Sequence, residues 1–237
     1  MANKKEYIII IPIYNEEQHI LTVCQKMKKI IDKKVMDILV INDGSTDKTL
    51  TILKGIKNIN ILSHKVNLGY GQSLINGFHY AIKRNYRYII TMDCDWQHDP
   101  DQIMHFAQAI RGHWDIISGS RYLTLSPAKK KDVPQDRFTI NKKITRKINK
   151  ITGFHLTDSF CGFKAYKVNI LKKLELTEPG YGMPIQLWLE AGKHNLKVRE
   201  IPVDLIYLDY SRNFHNRFTH AKERYKYYLR ILKGGKE

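Results

Sequence analysis

The strongest constraint on the fold is a rhythm. Short Ile- and Val-rich runs alternate with amphipathic stretches, and the runs stop abruptly at polar clusters. Residues 7–13 form the first run. It leads into Tyr14-Asn15-Glu16-Glu17, then a helical pattern with apolar positions at Ile20, Val23, Met27 and Ile30 or Ile31. Residues 36–41 form the second, ending in Asn42-Asp43-Gly44-Ser45-Thr46-Asp47. Ser45 or Thr46 is expected to cap the helix carrying Leu50, Leu53 and Ile56. Residues 59–62 read as a third strand, and Asn67-Leu68-Gly69-Tyr70-Gly71 as a loop feeding a helix over 72–84. Residues 87–92 and 115–118 complete the strands of this half. Strand followed by helix, again and again, predicts a parallel α/β sheet with right-handed crossovers. Such sheets bind ligands beyond the carboxyl ends of their strands.

The fourth run ends in the most chemically loaded stretch, Met92-Asp93-Cys94-Asp95-Trp96-Gln97-His98-Asp99-Pro100-Asp101. If the backbone stays extended, Asp93, Asp95 and Gln97 fall on one side. Crowded oxygen acceptors of this kind suit a hard divalent cation, Mg²⁺ or Mn²⁺, though a polar turn has the same composition. Asp99-Pro100-Asp101 reads as a helix start with Pro at the first helical position. Tyr14, Glu16 and Asp43 belong to sister strand ends and should converge with these carboxylates on one crevice. That convergence favours the cation. A dinucleotide loop at Gly69-x-Gly71 is excluded, because position 74 is Leu and the stretch follows the third strand.

The chain has 237 residues, 43% of them hydrophobic, which suits a single domain. No run of about 18 apolar residues is present, so no transmembrane helix is expected. The N-terminal run is too short for a signal peptide. Cys24, Cys94 and Cys161 are odd in number and scattered, as reduced cytosolic thiols would be. A net charge of +17 predicts attraction to nucleic acid, anionic lipid or phosphorylated substrates, or reflects only Lys-rich coding. The composition shifts near residue 125, separating a nucleotide-type half (1–122) from a basic, acceptor-type half (123–237). Residues 128–150 form a basic amphipathic pattern with a stripe of Ile140, Ile144, Ile148 and Ile151. That stripe either docks on the core or lies on an anionic membrane. Residues 157–168 read as a polar turn and short strand, and 197–207 as another strand. Gly180-Tyr181-Gly182-Met183-Pro184 opens a helical pattern through Leu187, Leu189 and Ala191, and another runs over 220–232, where Tyr225, Tyr228, Leu229 and Leu232 share a face that suits either packing on the core or an interface with membrane or protein.

Taken in order, residues 9–17, 40–47, 67–71, 92–100 and Ser118-Gly119-Ser120-Arg121 resemble the family 2 glycosyltransferases. Asp158-Ser159-Phe160-Cys161-Gly162-Phe163-Lys164 resembles the acceptor-side motif of the dolichyl- and polyprenyl-phosphate sugar transferases. The resemblance implies a GT-A fold, a Rossmann-like, mostly parallel mixed sheet flanked by helices. It implies that Pro12, Tyr14 and Glu16 line the nucleoside pocket, that Ile41 and Asp43 hold the base and ribose, and that Asp93, Cys94 and Asp95 contact ribose and diphosphate. Asp93, Asp95 and Gln97 would hold Mg²⁺ or Mn²⁺, and Arg121 would face the sugar or phosphates. The relatives' arginine beyond the 197–207 strand has no match at Leu208, so Arg212 takes the phosphate role here. Asn42 replaces a commoner Asp. The implied reaction is an inverting transfer of a hexose from a nucleoside-diphosphate sugar of GDP-mannose or UDP-glucose type to a polyprenyl phosphate. It would occur peripherally at the cytoplasmic membrane face, without the C-terminal membrane-spanning segments of many relatives. For a hydroxyl acceptor, Asp158 is the candidate base; His98 and His155 could reach a site, although lone histidines are more often structural. A nucleotidyltransferase would want a basic Gly-rich loop where Asn15-Glu16-Glu17 stands, and no nucleic-acid-binding motif is present.

Overall fold

A computed structural model describes residues 5–94, 98–124, 133–204, 206 and 220–234. Its strands are β1 (Tyr7–Ile13), β2 (Met36–Asn42), β3 (Asn60–Ser63), β4 (Tyr88–Thr91), β5 (Ile116–Ser120), β6 (Lys164–Lys167) and β7 (Val198–Pro202). Its helices are α1 (Ile20–Ile30), α2 (Thr49–Gly55), α3 (Tyr70–Lys83), α4 (Ile103–Ile110), α5 (Gln135–Thr152), α6 (Val168–Leu171), α7 (Met183–Lys193) and α8 (Ala221–Leu232). The strands form one sheet in the order β3-β2-β1-β4-β6-β5-β7.

The Ile run of β1 is explained by its central place. Tyr7, Ile9, Ile11 and Ile13 face a core layer with α1 and α4, through Val23, Met27, Phe106 and Ile110. Ile8 and Ile10 face the opposite layer, with Leu74 and Phe78 of α3 and with α5 and α7. A parallel strand covered on both faces needs apolar residues at every position. Each buried Ile contributes roughly 1.5–3 kcal/mol relative to exposure.

The sheet is mostly parallel, with one departure. β1 pairs in parallel with β2 and β4, β2 with β3, and β5 with β7, whereas β6 runs antiparallel between β4 and β5. The sheet is thus the mixed, mostly parallel one that the resemblance implies, with β6 as its antiparallel member. Alternation of apolar runs carries no direction, and α5 occupies the connection that brings the chain back reversed. The expected cap on α2 is also corrected. Asp47 accepts from the Thr49 amide at 2.9 Å, while Ser45 and Thr46 bond to the turn after β1. Asp99-Pro100-Asp101 does start a helical turn, with the Asp99 carboxylate accepting from the Asp101 amide at 3.1 Å.

The basic stripe resolves toward packing. Ile140, Ile144 and Ile148 are buried against the second core layer, and Ile151 alone of the stripe stays out, 60% exposed. An apolar face spent on the core is not available for insertion between lipids, which leaves only the basic face of α5 turned outward. α8 packs as expected through buried Tyr228. β7 ends at Pro202, and Leu208 lies outside the described residues. Among the described residues, no helix is long and apolar enough to cross a membrane.

Candidate active site

The carboxyl ends of β1, β2, β3 and β4 lie together, so their following loops build one wall of a crevice. The loops after β1 and β2 are latched. Asn15 takes a positive φ of 55°, which lets its amide donate to Ser45 Oγ (3.0 Å) and its side-chain oxygen accept from the Thr46 amide (2.9 Å). The Glu16 amide donates to Thr49 Oγ1 at 2.8 Å, and Glu17 accepts from the Lys48 amide at 2.9 Å. Tyr14 and Glu16 stay half-buried on this rim, and Pro12 pairs with Ile41 in the ladder beneath it.

Asp43 organises the next loop. It is 3% exposed, and its carboxylate accepts from His64 Nδ1 (2.6 Å), the Leu68 amide (2.8 Å) and the Gly69 amide (2.8 Å). Behind it, His64 Nε2 meets Asn76 Nδ2 at 2.9 Å, and Asn76 Oδ1 accepts from Gln72 at 2.9 Å. The ring proton therefore sits on Nδ1, aimed at Asp43. Gly69 has φ +104°, and a Cβ there would lie 2.4 Å from the Pro179 carbonyl oxygen. Only glycine lets the loop close against the segment before α7.

Asp93 emerges at the end of β4 with 31% of its side chain exposed. Tyr70 donates to it at 3.2 Å, and His98 Nδ1 lies 3.6 Å away while accepting from the Asp93 amide at 3.0 Å. Burial pushes its carboxyl above the usual range, and the Tyr70 hydroxyl, Lys164 and Arg121 pull it back. A carboxylate that is poorly solvated, has few strong donors among the described residues and is partly exposed fits a divalent cation. Asp95 and Gln97, its expected co-ligands, lie outside the described residues, as does Arg212. Gly162 makes room for Asp93, because a Cβ there would lie 2.4 Å from Asp93 Oδ2. Thr91 Oγ1 fixes that turn by donating to the Gly162 carbonyl at 2.7 Å.

The opposite wall carries the second half. Arg121 Nε and Nη2 donate to Asp158 at 2.7 and 3.0 Å, and the Arg121 amide adds a third contact at 3.3 Å. Asn141 of α5 donates to the same carboxylate at 2.7 Å, and the Phe160 amide at 3.2 Å. Asp158 is 0% exposed, and burial, which would raise its carboxyl, loses to the Arg121 charge and these bonds, which hold it low. Glu200 of β7 fixes the Asp158 backbone amide at 2.9 Å and the Thr157 amide at 2.7 Å. Lys164 is buried between the walls, bonded to the Cys161 carbonyl and 5.4 Å from the Trp188 ring centroid. Burial lowers its pKa, against the charges of Asp158 and Asp93.

The expected site residues therefore separate. Tyr14, Glu16, Asp43 and Asp93 lie on the loops after the adjacent parallel strands β1, β2 and β4, and Arg121 follows β5. Ile41 and Cys94 are buried: they are 0% and 2% exposed, with side chains in opposite core layers. Period 2 turns Cys94 inward when Asp93 turns outward, so the side chains of Ile41 and Cys94 pack in the core. Asp158 as a base is corrected as well, since a buried carboxylate saturated by an arginine holds that arginine in place. His98 is structural, and His155 is exposed. His64, Asn141, Lys164 and Glu200 were missed as site residues. Each is polar at a position whose burial depends on partners remote in sequence.

Residues 8–175 match the family profile described as Glycosyl transferase family 2. The chain belongs to that glycosyltransferase family. The matched span includes Asp43, Asp93, Arg121, Asp158 and Lys164. The UDP-N-acetylglucosamine–dolichyl-phosphate N-acetylglucosaminyltransferase of Methanococcus voltae is 28% identical over 251 residues, covering 98% of this chain and 96% of that protein. The polyprenol monophosphomannose synthase of Mycolicibacterium smegmatis is 25% identical over 204 residues, covering 83% and 76%. Among solved structures, the glucosyl-3-phosphoglycerate synthase of Mycobacterium tuberculosis, in complex with Mn²⁺, UDP and glucosyl-3-phosphoglycerate, superposes with a TM-score of 0.70. That match covers 97% of this chain and 80% of the other at 14% identity, a likeness of GT-A fold.

Proposed function

We propose that this glycosyltransferase moves a hexose from a nucleoside-diphosphate sugar to a polyprenyl phosphate, with inversion. An oxygen of the acceptor phosphate attacks the anomeric carbon as the bond to the donor's β-phosphate breaks and the nucleoside diphosphate leaves with the electron pair. Tyr14, Glu16 and the loop held by Asp43 would receive the nucleoside, with Pro12 beneath them. Asp93, with Asp95 and Gln97, would hold Mg²⁺ or Mn²⁺, which supplies charge neutralisation for the leaving diphosphate. Arg121, oriented by Asp158, would face the phosphates, as would Arg212.

One observation carries the choice of acceptor. Asp158, the carboxylate best placed by sequence to act as a base, is spent on Arg121. A hydroxyl acceptor needs a base, whereas a phosphate monoester is already anionic at neutral pH and needs cations to align it. The names of the two relatives, one carrying dolichyl phosphate and the other polyprenol monophosphomannose, support the same choice. The Mn²⁺ and UDP bound by the structural neighbour support the cation and the donor class. The test offers labelled sugar nucleotides, including UDP- and GDP-linked hexoses, with polyprenyl phosphate or the corresponding polyprenol in detergent. Label is expected in the phosphate product alone. Equal transfer to the alcohol would refute the acceptor assignment.

A further inference from the structure

The mechanism leaves one large feature unused, the outward faces of α5 and α8. These helices touch: Arg224 donates to Asp136 at 2.6 Å, and Lys143 Nζ lies 5.7 Å from the centroid of the Tyr225 ring. On α5, Lys143, Arg146, Lys147 and Lys150 are exposed. On α8, Lys222, Lys226 and Arg230 form an exposed i, i+4, i+8 stripe. Like charges at i, i+4 destabilise a helix, and both faces repeat them. Among the described residues, none of these seven cations has a carboxylate within ion-pair distance. Glu223 stands near them, and Asp136 is taken by Arg224. A surface that carries this repulsion within itself is suited to a polyanion.

The same helices hold residues of the site. Asn141 of α5 holds Asp158, and Tyr227 of α8 accepts from the Gly182 amide at 3.1 Å, next to Tyr181, which stacks on Tyr70. We propose that the joined basic faces of α5 and α8 dock on an anionic membrane surface and hold the crevice beside its lipid acceptor. The inference rests on the polyprenyl-phosphate reading for what the membrane supplies. Docking is electrostatic, because Ile140, Ile144 and Ile148 are committed to the core. A membrane is favoured over RNA because the aromatics here are engaged within the protein: Tyr228 is buried, Tyr227 bonds to Glu178 and Tyr225 lies under Lys143. None is free to stack on a base.

The test is co-sedimentation of the full chain with phosphatidylcholine vesicles, with or without phosphatidylglycerol and free of polyprenyl phosphate. Each cation near an anionic surface strengthens partition about fivefold. The triple variant Lys147→Gln, Lys226→Gln, Arg230→Gln should therefore bind anionic vesicles on the order of 100-fold more weakly. Wild-type binding should vanish in neutral vesicles and in high salt. Transfer to a short water-soluble prenyl phosphate, measured alongside, should change by less than about twofold in the variant, since these residues lie outside the crevice. Absence of binding to anionic vesicles, salt-insensitive binding, an unaffected triple variant, or tighter binding to duplex RNA than to vesicles would each overturn the proposal. Failure of transfer with vesicle binding intact would count against the acceptor reading instead.

Discussion

Asp93 and Asp158, both acting on the buried Lys164, have the same side chain and opposite circumstances. Asp93 is partly exposed, accepts from the Tyr70 hydroxyl at 3.2 Å, and is pushed by burial above the usual carboxylate range. Asp158 is wholly buried, accepts from Arg121, Asn141 and the Phe160 amide, and is held below that range. A carboxylate with spare acceptor capacity binds something from outside, and a saturated one builds something within. One wall is therefore made to receive a cation and the other to aim one.

Removing each carboxylate should break this pairing in opposite ways. Asp158→Ala leaves the Arg121 charge buried without its partner and should cost about 3–5 kcal/mol of unfolding free energy in urea titration. Asp93→Ala removes a poorly solvated charge and should leave stability within about 1 kcal/mol, yet reduce transfer on the order of 100-fold or more. Gly162→Ala sharpens the comparison without touching either carboxylate. Its Cβ would lie 2.4 Å from Asp93 Oδ2, so Asp93 must shift. Metal-dependent transfer should fall about tenfold, with a stability loss of about 1–3 kcal/mol, both measured on the same preparation. His64→Ala should be milder, about 1–2 kcal/mol, because the Leu68 and Gly69 amides still hold Asp43. Its kinetic signature is a donor KM raised more than kcat is lowered.

The smallest effect is in pH. Asp158 has a folded-state pKa below its ordinary 3.8, so its contribution is present above 3.8 and lost as pH falls through the lower folded value. Asp93 has the opposite sign. Its raised pKa means that the ionised form costs stability above that pKa, a cost relieved as pH falls through it. Cation binding should weaken over that same upper window while the Arg121–Asp158 pair persists. Mn²⁺ titration and thermal melts between pH 3 and 6 (roughly the span of shifted carboxylates) would separate the two.

The sheet was legible where chemistry is local. An unbroken Ile run can only be a strand covered on both faces, and Asp99-Pro100-Asp101 starts a helical turn by its own side chain. What escaped depends on partners far along the chain. Whether Asp158 is free or spent is decided by Arg121, 37 positions away, and Asn141, 17 away. Lys164 ends a motif visible in the sequence, but its burial follows only from the insertion of β6 between β4 and β5. The Ile stripe of α5 announced an apolar face correctly, but periodicity does not say whether that face meets a membrane or α7.

The division of labour between the two carboxylates is tested most directly by following Mn²⁺ binding with electron paramagnetic resonance, with a nucleoside diphosphate present. Wild type, Asp93→Asn and Asp158→Asn would be compared, with a thermal melt for each. Asp93→Asn should weaken Mn²⁺ binding on the order of 100-fold with the melt nearly unchanged, and Asp158→Asn should lower the melting temperature with Mn²⁺ affinity reduced far less. Mn²⁺ affinity that survives Asp93→Asn and collapses in folded Asp158→Asn would contradict the account.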